Sequence, residues 1–268
     1  MAPFSPDHTR DPLRFPMERP SASVRKGLPQ GLKTRGVRPP PFHPHTLLPH
    51  STMKNIVILL SGRGSNFEAI LRTARAEDWE KAGLKIAAVL SNRPEAKGLE
   101  TARAEGLDAY AVDHKAYPTR EAFEEELVRL IEPYDPAVVV LAGFMRILTP
   151  TFVSRFEGRI LNIHPALLPL FPGLDTHRRC IEAGCRVHGS TVHFVSAVLD
   201  GGAIIGQSVV PVMTTDTPET LAARLLPYEH KVYPKCVRAV AEGRVKLVDG
   251  RAVMDDATAR ELAVFYRD

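Results

Sequence analysis

The sequence predicts an α/β domain whose mostly parallel, twisted sheet carries helices on both faces and an antiparallel extension towards the C-terminus. From Asn55 onward, short aliphatic or β-branched runs alternate with helical stretches. After Ser190 the runs alternate apolar and polar residues, as in strands with one exposed face. The 268-residue chain is 44% hydrophobic and 25% charged, which is ordinary for a globular protein and excludes a fully disordered chain.

The strands are predicted from short runs of β-branched or aliphatic residues that are bounded by turn-forming residues. In chain order they are Ile56–Leu60, Lys85–Leu90, Ala109–Val112, Ala137–Leu141, Ile160–Ile163, Ser190–Val195, Ile204–Val212 and Val245–Val248. Local pattern does not determine their order in the sheet.

The helices are bounded by start and stop signals. They are predicted over Asn66–Ala76, Ala96–Glu105, Arg120–Ile131 and Pro150–Phe156, with a last long helix opened by Thr217 and Pro218. Thr119 and Thr149 precede two of these helices as N-caps. Gly106 and Gly158 follow two of their ends, where glycine commonly ends a helix.

The first 52 residues differ from the rest of the chain. They hold eleven of the 23 prolines and a surplus of five positive charges, in a chain of net charge +4. Because they have no periodicity and no apolar face to offset ordering entropy, residues 1–52 are predicted to be a disordered basic extension. An anion-binding tail is the less favoured alternative. Residues 53–268 are predicted to be a single folded domain, and Met53 is a candidate translation start.

Charge, cysteine content and hydropathy limit which partners and which compartment are expected. A balance of 35 basic and 31 acidic residues requires no nucleic-acid partner. The longest aliphatic runs are far shorter than the ~20 residues that span a bilayer. Three cysteines are an odd and sparse set, which indicates a reducing compartment. We therefore expect a cytoplasmic protein that binds neither nucleic acid nor membrane.

The segment Ser61-Gly-Arg-Gly-Ser-Asn66 joins the first strand to the first helix and predicts a phosphate site. Gly62 and Gly64 permit positive φ and close approach, while Ser65 or Asn66 can cap a helix whose N-terminal dipole favours phosphate. The third glycine of the dinucleotide fingerprint and the Walker lysine are missing, which argues against hydride transfer and nucleoside-triphosphate use. The alternative is a glycine turn that only packs helix on strand.

A second group of polar residues is predicted on strand ends. Asn162 and His164 are two residues apart on an extended run, so their side chains share one face at the carboxyl end of a strand, where open α/β sheets bind ligands. Asp200 opens the turn Asp200-Gly-Gly202 after a later strand. Each of the three taken alone is more often a structural group, but together they supply what acyl transfer to an amine requires.

In that reaction the attacking amine turns a carbonyl into a tetrahedral oxyanion, which an Asn amide and a protonated His stabilise by hydrogen bonds. A neighbouring carboxylate favours the imidazolium and takes a proton from the ammonium formed on attack. No nucleophilic Ser or Cys is required, and the sequence has no Gly-x-Ser-x-Gly elbow. The residues therefore differ from a hydrolase triad.

A metal site is the competing interpretation of a nearby segment. His177, Cys180, Cys185 and His188 offer four nitrogen or sulfur ligands in twelve residues. Zinc sites usually separate their ligand pairs by a longer loop, and residues 177–183 have a helical pattern. We therefore predict no metal.

Four blocks carry a resemblance to a known family: Ser61-Gly-Arg-Gly-Ser-Asn66, Leu141-Ala-Gly-Phe-Met-Arg-Ile-Leu148, Asn162-Ile-His-Pro-Ala-Leu-Leu-Pro169, and His188-Gly-Ser-Thr-Val-His193 followed by Leu199-Asp-Gly-Gly202. From about Met53 to Val248 the chain resembles the phosphoribosylglycinamide formyltransferases. The resemblance implies a Rossmann-like formyltransferase fold without a metal. It also implies transfer of a formyl group from 10-formyltetrahydrofolate to the amine of glycinamide ribonucleotide in purine biosynthesis.

The resemblance implies roles for individual residues. Asn162, His164 and Asp200 match the family's catalytic trio. Gly64, Ser65 and Asn66 match the loop that holds the ribonucleotide phosphate, and Glu229 matches a contact to the glycinamide substrate. Folate contacts are implied for Arg120, Met145, Arg146, Ile147, Leu148, Asn162 and Val198. Leu148 and Val198 are expected to line an apolar slot for the pterin. The expected partners are the two small-molecule substrates, with the protein a monomer or a homodimer.

Three positions depart from the family pattern. Ala166 stands where many relatives have Ser, Asp175 where some have His, and Pro227 in a helical stretch that is usually proline-free. Because Pro227 removes a backbone donor, we expect the last helix to kink or split just before Glu229.

Related activities are distinguished by the chain ends. Methionyl-tRNA formyltransferase and formyltetrahydrofolate deformylase share the Asn-x-His and Asp chemistry. The residues after Val248 are too few for the C-terminal domain of the former. Residues 1–52 cannot form the N-terminal regulatory domain of the latter. A catalytically silent nucleotide-binding module is disfavoured because all three catalytic residue types are present.

Overall fold

The computed structural model describes residues 53–266, so the predicted disordered extension over residues 1–52 lies outside the described residues. The strands are β1 (Lys54–Leu60), β2 (Leu84–Ser91), β3 (Asp108–Ala111), β4 (Pro136–Leu141), β5 (Ile160–His164), β6 (Val187–Phe194), β7 (Ile204–Pro211), β8 (Lys246–Val248), β9 (Arg251–Val253) and β10 (Ala263–Phe265). The helices are α1 (Ser65–Ala76), α2 (Lys97–Ala104), α3 (Arg120–Ile131), α4 (Pro150–Arg155), α5 (Thr176–Glu182), α6 (Pro218–Glu242) and α7 (Asp256–Glu261).

The main sheet has eight strands in the order β10-β7-β6-β5-β4-β1-β2-β3. Strands β1 to β5 pair in parallel, β6 is antiparallel to both of its neighbours, and β10 is parallel to β7. This confirms the predicted α/β fold with a mostly parallel sheet and antiparallel pairing in its extension. The predicted strand Val245–Val248 forms β8, which pairs with β9 in a separate hairpin.

Strand β1 shows why helices cover both faces of the sheet. Ile56, Ile58 and Leu60 point into a core shared with α1 and α6, while Val57 and Leu59 point into a second core shared with α3 and α4. All five side chains are fully buried. Because successive strand residues face opposite sides, a run that is apolar throughout needs cover on each face. Each such side chain contributes about 1.5–3 kcal/mol when it leaves water.

The helix starts confirm two of the predicted caps and correct a third. The hydroxyls of Thr119 and Thr149 accept hydrogen bonds from backbone N–H groups of α3 and α4, as predicted. The predicted caps Ser65 and Asn66 are wrong, because both residues lie inside α1. Its N-cap is Gly64, whose left-handed backbone leaves the helix start with no side-chain cap.

Helix α6 is continuous over 25 residues, although it contains Pro227 and Pro234. The prediction that Pro227 splits this helix is therefore wrong. Proline inside a helix costs about 3 kcal/mol. Helix α6 packs against α1 and several strands, and one of its faces is buried along its length, which offsets that local cost. Glu229 consequently lies on an unbroken helix that crosses the sheet.

No helix within residues 53–266 combines the length and the apolar character needed to cross a membrane.

Candidate active site

The loop between β1 and α1 leaves the backbone amides at the start of α1 without a side-chain cap. Gly64 has φ 78°, and a side chain there would come within 3.1 Å of the Leu60 side chain. The start of α2 packs against the same loop, because the Gly98 amide donates to the Gly62 carbonyl at 3.1 Å. A positive helix end with accessible N–H groups is suited to an anion such as phosphate. Gly64, Ser65 and Asn66 therefore lie where a phosphate can bind.

Glu229 lies against this loop, which α6 reaches from the far end of the chain. The Asn66 Nδ2 donates to Glu229 Oε2 at 3.2 Å. Burial raises the pKa of Glu229 above its ordinary value. The Asn66 Oδ1 atom is buried without a hydrogen-bond partner in the protein. A buried acceptor without a donor is costly, so this oxygen is suited to a ligand that brings an N–H or O–H group.

Asn162 and His164 share one face of β5, as their spacing predicts. It is the face of Ile160, which packs into the core of α3 and α4. His193 on β6 lies directly opposite Asn162 in the strand register and so joins the same face. The Asn162 Nδ2 donates to His193 Nε2 at 3.3 Å. The sheet thus brings two histidines and an amide together at the end of β5.

Asp200 lies over these residues from the turn between β6 and β7. Its Oδ2 atom is 3.4 Å from His164 Nδ1, and its Oδ1 atom is 3.9 Å from His193 Nε2. The same Oδ2 accepts a hydrogen bond from the Gly173 amide at 2.9 Å. A side chain at Gly202 would come within 1.7 Å of the Phe194 carbonyl, so the tight turn that carries Asp200 requires glycine there.

The hydrogen bonds assign protons to the two histidines. The Nδ1 atom of His193 lies 2.9 Å from the Phe194 carbonyl, which can only accept, so Nδ1 donates and Nε2 accepts from Asn162. Burial lowers the pKa of His193, which keeps the ring neutral. The Nε2 atom of His164 donates to the Phe171 carbonyl at 2.9 Å, while its Nδ1 faces the Asp200 carboxylate. Each ring nitrogen of His164 therefore faces an acceptor oxygen.

The residues with implied folate contacts fall on two loops, one strand and one helix start. Met145 and Ile147 are 71% and 60% exposed on the loop after β4, and Val198 is 68% exposed on the turn before Asp200. Leu148 is buried in the core of α3 and α4. It therefore faces that core rather than standing free beside Val198.

Two cations with implied folate contacts accompany these loops. The Nε atom of Arg146 is buried without a hydrogen-bond partner in the protein. Because a buried donor is usually paired, this N–H is suited to an acceptor on a ligand. Arg120 is exposed at the first position of α3. In a βαβ unit that end of the helix lies at the carboxyl edge of the sheet, where the other candidate residues are found.

The residues weighed as a metal site are arranged otherwise. His188 Nε2 and His177 Nδ1 are 3.0 Å apart and form a hydrogen-bonded pair. Burial lowers the pKa of His188 to about 4 and that of His177 below its ordinary value. Burial also raises the pKa of the Cys180 thiol to about 12, which disfavours a thiolate ligand. Within residues 53–266 no three His, Cys, Asp or Glu side chains converge on one metal position.

Comparison with known proteins identifies the family. Residues 54–237 match the family described as formyl transferase. Phosphoribosylglycinamide formyltransferase of Escherichia coli is 46% identical over 201 residues, which are 75% of this chain and 93% of that protein. The chain belongs to the phosphoribosylglycinamide formyltransferase family. The Coxiella burnetii phosphoribosylglycinamide formyltransferase has a TM-score of 0.72 at 37% identity, with 80% of this chain and 100% of that chain covered. Glycinamide ribonucleotide transformylase 1 of Symbiobacterium toebii has a TM-score of 0.71 at 43% identity, over 77% and 96% of the two chains.

Sequence reasoning missed His193, which contacts Asn162 and lies beside Asp200. The residue ends the motif His188-Gly-Ser-Thr-Val-His193, and it lies 31 positions from Asn162. Its signal was available only in the pairing of β5 with β6, which local sequence does not determine.

Proposed function

We propose that the protein is a phosphoribosylglycinamide formyltransferase (EC 2.1.2.2) of purine biosynthesis. It transfers the formyl group of 10-formyltetrahydrofolate to the amine of glycinamide ribonucleotide, giving formylglycinamide ribonucleotide and tetrahydrofolate. The observation that carries the proposal is the approach of Asp200 Oδ2 to within 3.4 Å of His164 Nδ1, on the face of β5 that also presents Asn162. An amide, an imidazole and a carboxylate together serve acyl transfer without a protein nucleophile.

The proposed roles follow from the hydrogen bonds. His193 accepts one N–H of Asn162, which fixes the amide plane and leaves its second N–H for the oxyanion. His164 is the second donor, and the formyl oxygen takes the place of the Phe171 carbonyl at Nε2. Asp200 stabilises positive charge on His164 and accepts the proton that the attacking amine loses, directly or through water. The bond between the formyl carbon and N10 of the folate then breaks, and N10 takes up one proton as tetrahydrofolate leaves, so that the proton lost by the amine is balanced. No step requires a metal ion.

The binding roles are supported by groups that lack partners within the protein. Gly64, Ser65 and Asn66 hold the substrate phosphate at the uncapped start of α1, and Glu229 contacts the glycinamide moiety beside Asn66. The folate residues are Arg120, Met145, Arg146, Ile147, Asn162 and Val198, while Leu148 supports the same loop from the core. The exposed apolar side chains of the loop after β4 and the buried, unpartnered Arg146 Nε fit a cosubstrate that is both aromatic and polar.

We further propose that residues 53–268 act as one formyltransferase domain in the cytoplasm. All three cysteines are free, which fits a reducing compartment. The partners in this proposal are the two small-molecule substrates, without nucleic acid or membrane, and the protein is a monomer or a homodimer.

The test is a formyl-transfer assay on the purified protein. Release of tetrahydrofolate is followed with glycinamide ribonucleotide, with methionyl-tRNA or with water alone as formyl acceptor. We expect turnover that depends on glycinamide ribonucleotide. Equal release without an amine acceptor would instead identify a deformylase, and transfer to methionyl-tRNA alone would identify a tRNA formyltransferase.

A further inference from the structure

A buried chain of hydrogen bonds joins the carboxyl ends of β1, β2 and β4. The Met145 amide donates to the Ser61 hydroxyl oxygen at 2.8 Å. The Ser61 hydroxyl lies 2.6 Å from Asn92 Oδ1. Ser61 is 4% exposed and Asn92 is 1% exposed, so the bond between them is shielded from water, while the bond from Met145 is partly buried. The chain of bonds therefore ties the loop over residues 143–148 to the ends of two neighbouring strands.

Each bond in this chain has one possible direction. A backbone amide can only donate and a carboxamide oxygen can only accept, so Ser61 accepts from Met145 and donates to Asn92. The Ser61 amide also donates to the Gly143 carbonyl at 3.1 Å. Ser61 thus holds the first half of the loop at two points, one through its backbone and one through its side chain.

Glu124 holds the other end of the same loop. This residue of α3 is 4% exposed, and its Oε1 atom accepts a hydrogen bond from the Thr149 amide at 2.9 Å. The Thr149 hydroxyl donates to the second oxygen of Glu124 and also caps α4. Between the two anchors, residues 143–148 form neither helix nor strand. Their shape consequently depends on the anchors rather than on a ladder of backbone bonds.

We infer that Ser61, Asn92 and Glu124 are positioning residues for the folate cosubstrate, because they set the backbone of loop 143–148 from both ends. The inference rests on the proposed function, which assigns this loop to the folate. In the proposed mechanism none of the three side chains contacts the reacting atoms. They act on the affinity for the cosubstrate. A misplaced loop loses contacts that are equally strong in the ground state and in the transition state, and such a loss raises KM and leaves kcat unchanged.

The test compares Ser61→Ala with Ser61→Thr and with Ser208→Ala. Ser61→Ala leaves the Met145 amide and Asn92 Oδ1 without their partner, and Ser61→Thr keeps the hydroxyl. Ser208→Ala is the matched control, because among residues 53–266 its buried hydroxyl bonds only to Ser190, at 2.8 Å. We expect Ser61→Ala to raise the KM for 10-formyltetrahydrofolate about tenfold. In Ser61→Ala the KM for glycinamide ribonucleotide and kcat should change less than about threefold. In Ser61→Thr and Ser208→Ala all three parameters, including the KM for the folate, should stay near wild type.

Asn92 supplies a second readout, because the bonds described for residues 53–266 link its side chain to the loop through Ser61. The double variant Ser61→Ala/Asn92→Ala should raise the KM for the folate no further than Ser61→Ala alone. A purely structural role would lower the melting temperature in Ser61→Ala and Ser208→Ala alike and leave the folate KM unchanged. That result overturns the inference, as does an additive double variant.

Ile147→Ala separates the inference from the function on which it rests. Ile147 is 60% exposed on the loop, so its truncation leaves the fold intact. If Ile147→Ala raises the folate KM and Ser61→Ala does not, the positioning role is wrong while the assignment of the loop stands. If neither variant changes the folate KM of an active enzyme, both the assignment of the loop to the folate and the positioning role are wrong. An inactive wild-type protein overturns the proposed function itself.

Discussion

Strands β1, β2 and β4 bury apolar side chains almost throughout, whereas the neighbouring strands β5, β6 and β7 bury polar ones. Within residues 53–266, Ser91 at the end of β2 is the one polar residue that is buried on β1, β2 or β4. The second group buries His164, His188, Ser190, Thr191, His193 and Ser208. The apolar half supplies a rigid sheet edge whose loops offer backbone groups, and the polar half supplies side-chain chemistry.

The polar half is ordered because its buried groups are paired. Ser190 bonds to Ser208, the Thr191 hydroxyl donates to the Ala166 carbonyl at 2.7 Å, and His193 donates to the Phe194 carbonyl. A buried polar group without a partner costs about 1–3 kcal/mol. Substitutions of the residues in this half that face the proposed site, Asn162, His164 and His193, should therefore change activity, whereas those of buried apolar residues in the first half should change stability.

The largest effect is expected for Asn162→Ala and His164→Ala. Each variant removes an oxyanion donor, so kcat should fall about 10²–10³-fold. Turnover is measured at saturating substrates, and circular dichroism checks that each variant is folded. Near-normal turnover in either folded variant would remove that residue from the proposed mechanism.

A smaller loss of activity is expected for His193→Leu. This variant leaves Asn162 Nδ2 without its acceptor, so the amide is no longer held in one plane and kcat should fall about tenfold. His193→Gln retains an acceptor and should lie between the wild type and His193→Leu. If both variants turn over equally, His193 does not orient Asn162.

The apolar half should respond in stability alone. Ile58→Val removes one methylene from a fully buried position on β1, which should cost about 0.5–1.5 kcal/mol in the free energy of unfolding. Urea unfolding measures this cost, and kcat should stay at the wild-type value. A drop in kcat without a drop in stability would show that the two halves are not separable.

The smallest effect at neutral pH is expected for His188→Gln. The pKa of His188 is lowered to about 4 by burial, against about 6.5 in an unfolded chain. Between pH 6.5 and 4 the unfolded chain binds a proton at this histidine that the folded protein does not bind. The neutral, buried His188 therefore costs the folded protein no stability above pH 6.5, and the free energy of unfolding falls as the pH drops from 6.5 towards 4.

Urea midpoints at pH 7.5, 5.5 and 4.0 test this behaviour. The wild type should lose more stability than His188→Gln over that interval. Parallel curves for the two proteins would assign the pH dependence to other groups.

The local features of the fold and of the site could be predicted from sequence. Thr119 and Thr149 cap their helices as predicted, because a cap is a contact over three residues. The two-residue spacing places Asn162 and His164 on one face, because strand side chains alternate. The glycine turn after β1 has the positive φ expected at Gly64. The catalytic and binding roles of these residues stay predictions.

Sequence by itself therefore determined the fold class, the family and the residue types of the site. Only the tertiary structure decided which distant groups meet: Asn66 with Glu229, 163 positions apart, and Ser61 with Asn92, 31 apart. It also decided that α6 continues through Pro227, because packing along a whole helix outweighs one lost backbone bond. Caps and the alternation of strand side chains depend on backbone geometry over a few neighbouring residues, so the local sequence predicts them. Strand order and helix packing depend on burial summed over the whole chain, which no local segment contains.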